Sequence, residues 1–208
     1  MKTIVTIDFD IIMAPSINLY NSIVGPDRWE EDFTNNPQLA LSYADLKHYH
    51  KLTQYLLDIL PEMDKAHIHF IQDHEKALKY IPLGEPIHLV NIDHHHDIGY
   101  GEKDGQEATT RDTLTCGNWV KYLAEHGQLQ HFHWINNYNS TPVEEFNIAK
   151  NKINQTSDIR SLTTLPPTPD ELIICLSPMW VPPNYRHLFY SWLDICNYIH
   201  HTHYEVET

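Results

Sequence analysis

IHLVNIDHHHD (87–97) passes from a mainly apolar, β-branched hexamer directly into five residues that can all bind metal. A short apolar run bounded by turn signals reads as a buried strand. The reading is repeated at TIVTI (3–7), HIHFI (67–71), QHFHWI (130–135) and LIICLS (172–177). Between these runs, 41–60, 73–81, 117–127 and 185–199 carry apolar residues at helical spacing, punctuated by Pro61, Gly84, Gly127 and PPTP (166–169). Strand–helix alternation predicts an α/β fold: a three-layer sandwich with a mostly parallel sheet between helices. The polar, glycine-bearing stretch 99–113 reads as a loop at the strand ends, where α/β proteins place function.

The chain has 208 residues, which suits a single domain spanning 1–208 with a sizeable core. Hydrophobic residues at 41% and charged residues at 20% make an ordinary globular mix. A formal charge of -14 argues against nucleic acid as a partner and favours cationic ligands. The cysteines Cys116, Cys175 and Cys196 are odd in number and widely spaced, unlike a disulfide framework or a CxxC zinc site. No run approaches the roughly 20 apolar residues of a membrane helix, so no membrane partner is expected. The start MKTIVTIDFD meets Asp8 too early for the apolar core of a signal peptide. A reducing cytoplasm is the expected location; the oligomeric state is left open.

Three strand ends carry ligand-type residues: Asp8 and Asp10 in TIDFD, Asp73 and His74 in IQDHEKAL, and the cluster in NIDHHHD. Period-two geometry would point Asp8 and Asp10 to one side, and would place Asp93, His95 and Asp97 on one face with His94 and His96 on the other. In a parallel sheet these ends lie on one edge. Converging carboxylates are costly unless a cation neutralises them. Four aspartates and two histidines suit Mn2+ or Fe2+ better than a thiolate zinc site. Six ligands exceed what one catalytic ion with open positions takes, whereas two ions sharing carboxylates account for them. Such a pair is suited to hydrolysis. The remaining histidine pairs, HYH (48–50), HIH (67–69), HFH (131–133) and HHTH (200–203), read as surface or strand residues.

These residues resemble the arginases and other ureohydrolases. DHHHD looks like their D-A-H-x-D element, with His94 in the alanine place. IDFDIIMAP is similar to S-x-D-x-D-x-x-D-P, with Met13 replacing the third aspartate, and IQDHEKAL to G-G-D-H-S. The resemblance implies that His74, Asp93, Asp97 and Asp8 hold one manganese and that Asp93, His95, Asp8 and Asp10 hold the other. Asp10, His95 and Asp93 would take part in catalysis. The S-x-D-x-D element comes late in ureohydrolases and first here, which a circular permutation would produce. A permuted arginase-like branch, including peptide arginases, is similar in length, in DFD, in CGNWVKYL and in LSPMWVPP. That branch implies hydrolysis of arginine residues in a precursor peptide to ornithine and urea, with two Mn2+ ions as cofactor. Cys116 stands where arginases carry a proton-shuttling histidine, though it reads first as a small buried residue; His94 or His96 is the alternative shuttle. A planar guanidinium calls for carboxylate or amide acceptors. Candidates are Asp112, Asn118, Cys116 and Glu31 (with Glu30 beside it).

Two other readings stand beside this one. TIDFD and NIDHH also match the outline of DHH phosphoesterases. Against that reading, no histidine precedes the DxD, IIMAP is bulky, seven glycines leave little for a glycine-rich second domain, and His74 and Asp97 go unexplained. The third reading is a non-catalytic arginase-like binding module. SPMWVPPNY (177–185) reads either as a proline-packed corner or as a platform where Trp180 and Tyr185 meet a peptide.

Overall fold

The computed structural model describes residues 1–13, 44–82, 84–138, 140–143, 150–161 and 165–208. Its strands are β1 (Lys2–Asp8), β2 (Ile68–Ile71), β3 (Ile87–Ile92), β4 (Leu129–Asn136), β5 (Gln155–Asp158), β6 (Glu171–Cys175) and β7 (Val206–Glu207). They form one sheet in the order β5-β4-β3-β1-β6-β2-β7, with every pair parallel. The α-helices among the described residues are α1 (Leu46–Ile59), α2 (Gly101–Gln106), α3 (Trp119–Glu125) and α4 (Arg186–His200). None is long and apolar enough to cross a membrane.

Side-chain alternation along the strands divides the interior into two layers. Val5, Ile7, Phe70, Val90, Ile92, Leu172 and Ile174 face one side, where they pack with Leu52 and Leu56 of α1 and Phe189 and Trp192 of α4. Ile4, Ile71, Leu89 and Ile173 face the other, against Trp119, Val120 and Leu123 of α3. Parallel strands covered on both faces read as continuous apolar runs, which is why β1, β3 and β6 are visible in the sequence. β5 (QTSD) and β7 are not, because neither carries an apolar run.

The register brings the strand ends level: Ile7 pairs with Ile92, Asp8 with Cys175, and Ile71 with Cys175. The carboxyl ends of β3, β1, β6 and β2 therefore share one edge. The local geometry there differs from the extended segments read in the sequence. Asp10 lies in a 3-10 turn, Phe9–Ile12, whose entry is capped by Asp8 accepting from the Asp10 amide. Phe9 anchors that turn, meeting Trp192 edge-to-face at 4.9 Å and Phe189 at 5.7 Å. The segment after β2 is likewise a 3-10 helix, His74–Lys79, and the stretch read as a loop at 99–113 contains α2 and a further 3-10 turn, Arg111–Thr113.

Candidate metal centre

Asp93 follows β3 directly, and its backbone is fixed by β4: its amide donates to the Ile135 carbonyl at 3.0 Å, and its own carbonyl accepts from Trp134 Nε1 at 3.0 Å. The chain then turns. The Asp93 carboxylate takes the His95 amide at 2.8 Å, and Asp10 takes the His94 amide at 3.3 Å. Asp97 adopts left-handed backbone, φ 54°, and its carbonyl accepts from the amides of Val120 and Lys121 at the start of α3. Aspartate is among the residues that tolerate this conformation. A turn, rather than a continued strand, thus aims the three acidic and imidazole groups inward.

Two triplets result: Asp8, His74 and Asp93, and Asp10, Asp93 and His95, with the ligand atoms of each within 4.8 Å of one another. Asp93 belongs to both. His74 Nδ1 lies 3.2 Å from Asp8 Oδ2, 3.2 Å from Asp93 Oδ2 and 3.1 Å from Asp97 Oδ2. His95 Nδ1 lies 2.8 Å from Asp10 Oδ2 and 3.8 Å from Asp93 Oδ1. His74 is buried, yet neither ring nitrogen forms a well-directed hydrogen bond to any described residue. A buried nitrogen facing three carboxylate oxygens without a directed bond has the surroundings that a shared cation satisfies. The donors therefore fit a metal.

Electrostatics agrees. Burial pushes the Asp93 carboxyl up to about 7, with Asp97 and Asp8 adding to it. Burial and Asp10 raise Asp8, and burial and Asp93 raise Asp10. On the histidines, burial works downward. Against it, Asp8, Asp93 and Asp97 hold His74 well above its ordinary value, and Asp10 lifts His95 to about 9. The raised carboxyls and the raised imidazoles thus both favour protons within the cluster. His94 and His96 behave oppositely, because burial and then His95 push each down to about 3.

A cavity of about 340 Å³ opens over the two triplets. Asp8, Asp97, His94 and His95 line it together with Tyr100, Trp180 and Cys116. No lysine or arginine is among the described residues lining it. Burial pushes the Cys116 thiol up to about 12, with Asp97 second, so it is a neutral wall. Both histidines are buried, but His94 borders the cavity, whereas His96 does not line it and is stacked on Tyr100 at 4.2 Å and set edge-on to Trp134.

The other candidates fare differently. Asp112 is exposed on its 3-10 turn and does not line the cavity. Asn118 is buried and committed to the turn before α3: its Oδ1 accepts from the Thr115 amide at 2.8 Å and its Nδ2 donates to the Thr113 carbonyl at 2.9 Å. Glu31 and Glu30 lie outside the described residues. Of the two aromatic residues read as a platform, Trp180 lines the cavity, 4.7 Å from the His95 ring, while Tyr185 packs into the core.

Supporting residues also emerge that the sequence did not disclose. Ser177 donates to Asp8 Oδ2 at 2.5 Å, and Trp119 Nε1 donates to Asp97 Oδ2 at 2.6 Å. Asn91 accepts from Thr6 Oγ1 and donates to Asp93 Oδ2 at 3.2 Å. Such partners fix ligand orientation. Trp119→Phe keeps a ring beside His74, now 4.8 Å away, but removes the donor to Asp97. We expect it to weaken divalent-metal binding about tenfold with the fold intact, as read by isothermal titration beside circular dichroism. Unchanged affinity would show that Asp97 needs no such support.

The fold and site define an α/β protein whose buried aspartate and histidine groups could hold a metal ion. No family model matches the sequence, and neither curated proteins nor solved structures yield a match.

Proposed function

We propose that the protein is a binuclear manganese hydrolase of the arginase-like, circularly permuted type, cleaving the guanidino group of arginine residues in a precursor peptide to give ornithine and urea. The observation that carries the reading is the sharing of Asp93 between a triplet containing His74 and another containing His95. A mixed aspartate–imidazole donor set suits manganese. His74, Asp8, Asp93 and Asp97 would hold one ion, and Asp8, Asp10, Asp93 and His95 the other. When bound, such ions lower the pKa of a water and polarise the carbon under attack.

The chain's own residues supply the rest. No lysine or arginine is among the described residues lining the cavity, so no cationic side chain there repels a guanidinium. Tyr100 and Trp180 offer flat faces to a planar cation. Asp10, whose Oδ2 lies 2.8 Å from His95 Nδ1, would accept the proton that the leaving amine later takes; His94 borders the cavity, but burial and then His95 push it down to about 3, too weak a base for that step. The DHH phosphoesterase reading leaves unexplained why His74 stands within 3.2 Å of three carboxylates and why Asp97 is drawn to it. The free thiols fit a reducing compartment.

The test is urea release by the manganese-loaded protein offered an arginine-containing peptide, free arginine and agmatine, with bis-p-nitrophenyl phosphate alongside. Urea from the peptide alone is the expected result. Urea from free arginine would make it a permuted ureohydrolase of ordinary substrate. Phosphodiester cleavage without urea would overturn the reading.

A further inference from the structure

Among the described residues, three other than glycine have a positive φ: Asp97 at 54°, Ser177 at 48° and His201 at 47°. His201 terminates α4, where left-handed caps are common. The other two stand at the metal centre. Asp97 is a candidate ligand, but Ser177 is not, and serine gains little from this conformation. The fold holds the backbone there firmly. The Ser177 amide donates to the Gln72 carbonyl at 3.0 Å, and the Ser177 carbonyl accepts from Trp180 at 2.9 Å and Val181 at 3.0 Å.

Those bonds require only a backbone that turns left, and glycine would meet the requirement with less strain. What glycine lacks is the hydroxyl. Ser177 Oγ donates to Asp8 Oδ2 at 2.5 Å, the same oxygen that lies 3.2 Å from His74 Nδ1. The thiol of Cys175 is 3.3 Å from that hydroxyl and 3.4 Å from the Gln72 carbonyl. Ser177 is buried and also borders the cavity. Asp8 Oδ1 is occupied in turn by the Asp10 amide at 3.1 Å. Both oxygens of Asp8 are thus held by the chain, one from β1's own turn and the other from the end of the neighbouring strand, β6.

We propose that Ser177 is a positioning residue. Its hydroxyl fixes the Asp8 carboxylate toward His74, and left-handed strain is retained at a buried non-glycine position to keep that hydroxyl in place. The inference rests on reading the cluster as a metal centre. It sets folding stability against metal affinity at one residue, as strained functional sites do.

The experiment compares wild type, Ser177→Gly and Ser177→Ala. Apo thermal unfolding is measured in chelator, and Mn2+ affinity is measured by calorimetric titration with electron paramagnetic resonance of the bound ions. Ser177→Gly is expected to unfold at the same or a higher temperature than wild type, yet to bind manganese about tenfold more weakly. Its bound-ion spectrum should be altered as well. Ser177→Ala should lose affinity equally and unfold earlier, because it keeps the strain without the bond. Wild-type affinity in Ser177→Gly would overturn the proposal while leaving the proposed function standing. A loss of apo stability in Ser177→Gly would overturn it too, since the hydroxyl would then serve packing. Absence of manganese binding by wild type would overturn both.

Discussion

On the proposed binuclear reading, Asp93→Asn is expected to cost both metal ions and all hydrolysis, more than about a hundredfold in manganese affinity, while leaving the apo fold at least as stable as wild type. The substitution is nearly isosteric and leaves the backbone bonds to Ile135 and Trp134 intact. Asp93 is the residue common to the two triplets, so its charge is lost from both at once. In the apo protein that charge is a burden. The group is fully buried and its carboxyl is pushed up to about 7 by burial, Asp97 and Asp8. An amide in its place relieves repulsion among the aspartates. Excess metal stabilises the wild type by mass action, about 2.7 kcal/mol at a hundred times Kd, and does not stabilise the variant. The order of unfolding temperatures should therefore invert: variant at or above wild type in chelator, below it in manganese. His95→Ala is the contrasting control, since it touches one triplet only and should leave one ion bound. If Asp93→Asn turned over substrate like wild type, or lost a single ion, Asp93 would not be shared.

How much of this centre could be read from the chain depends on the kind of information each residue carries. β1, β3 and β6 were legible because strands buried on both faces must be apolar throughout. β5 was not, since QTSD at the sheet edge has no apolar run to betray it. The convergence of Asp8, His74 and Asp93 followed from parallel strands ending on one edge, and the register bears this out. The means of convergence was misread. Period-two alternation would align Asp8 with Asp10 and Asp93 with Asp97, but a 3-10 turn and a left-handed residue do the aiming. Those conformations arise from long-range packing, such as Phe9 held among Trp192 and Phe189, which no local pattern encodes. The supporting donors were harder still. Ser177 lies 169 positions from Asp8, and Trp119 lies 22 from Asp97, so neither spacing carries a motif. Asp112 and Asn118 show the reverse failure. Both have the right chemistry, but one is exposed and does not line the cavity and the other is used up in a turn.

Metal and pH should act in opposite directions on stability between about pH 6.5 and 9, and this is the second large effect. In the apo protein His95 is raised to about 9 and His74 well above its ordinary value, in each case because nearby carboxylates outweigh burial. A histidine whose folded pKa lies above its unfolded value contributes stability that is complete below the unfolded value, about 6.5. That contribution is lost as pH rises through the folded value. For His95 alone the loss is on the order of 3 kcal/mol by pH 9. Asp93, raised to about 7, acts in the same sense over the first half-unit. Below pH 6.5 the signs conflict. His94 and His96, pushed down to about 3, lose stability as pH falls, while the raised carboxylates gain it. The alkaline window is therefore the clean one. Metal ligation requires the same imidazoles without their protons, so manganese binding releases protons and tightens with pH. Apo unfolding temperature should fall from pH 6.5 to 9 while the gain on adding manganese grows. Calorimetry in buffers of different ionisation enthalpy should show net proton release that shrinks toward pH 9. An apo temperature that rose across this window would mean that the two histidines do not share protons with the aspartates. A metal-induced gain that stayed flat would mean that the ions bind elsewhere.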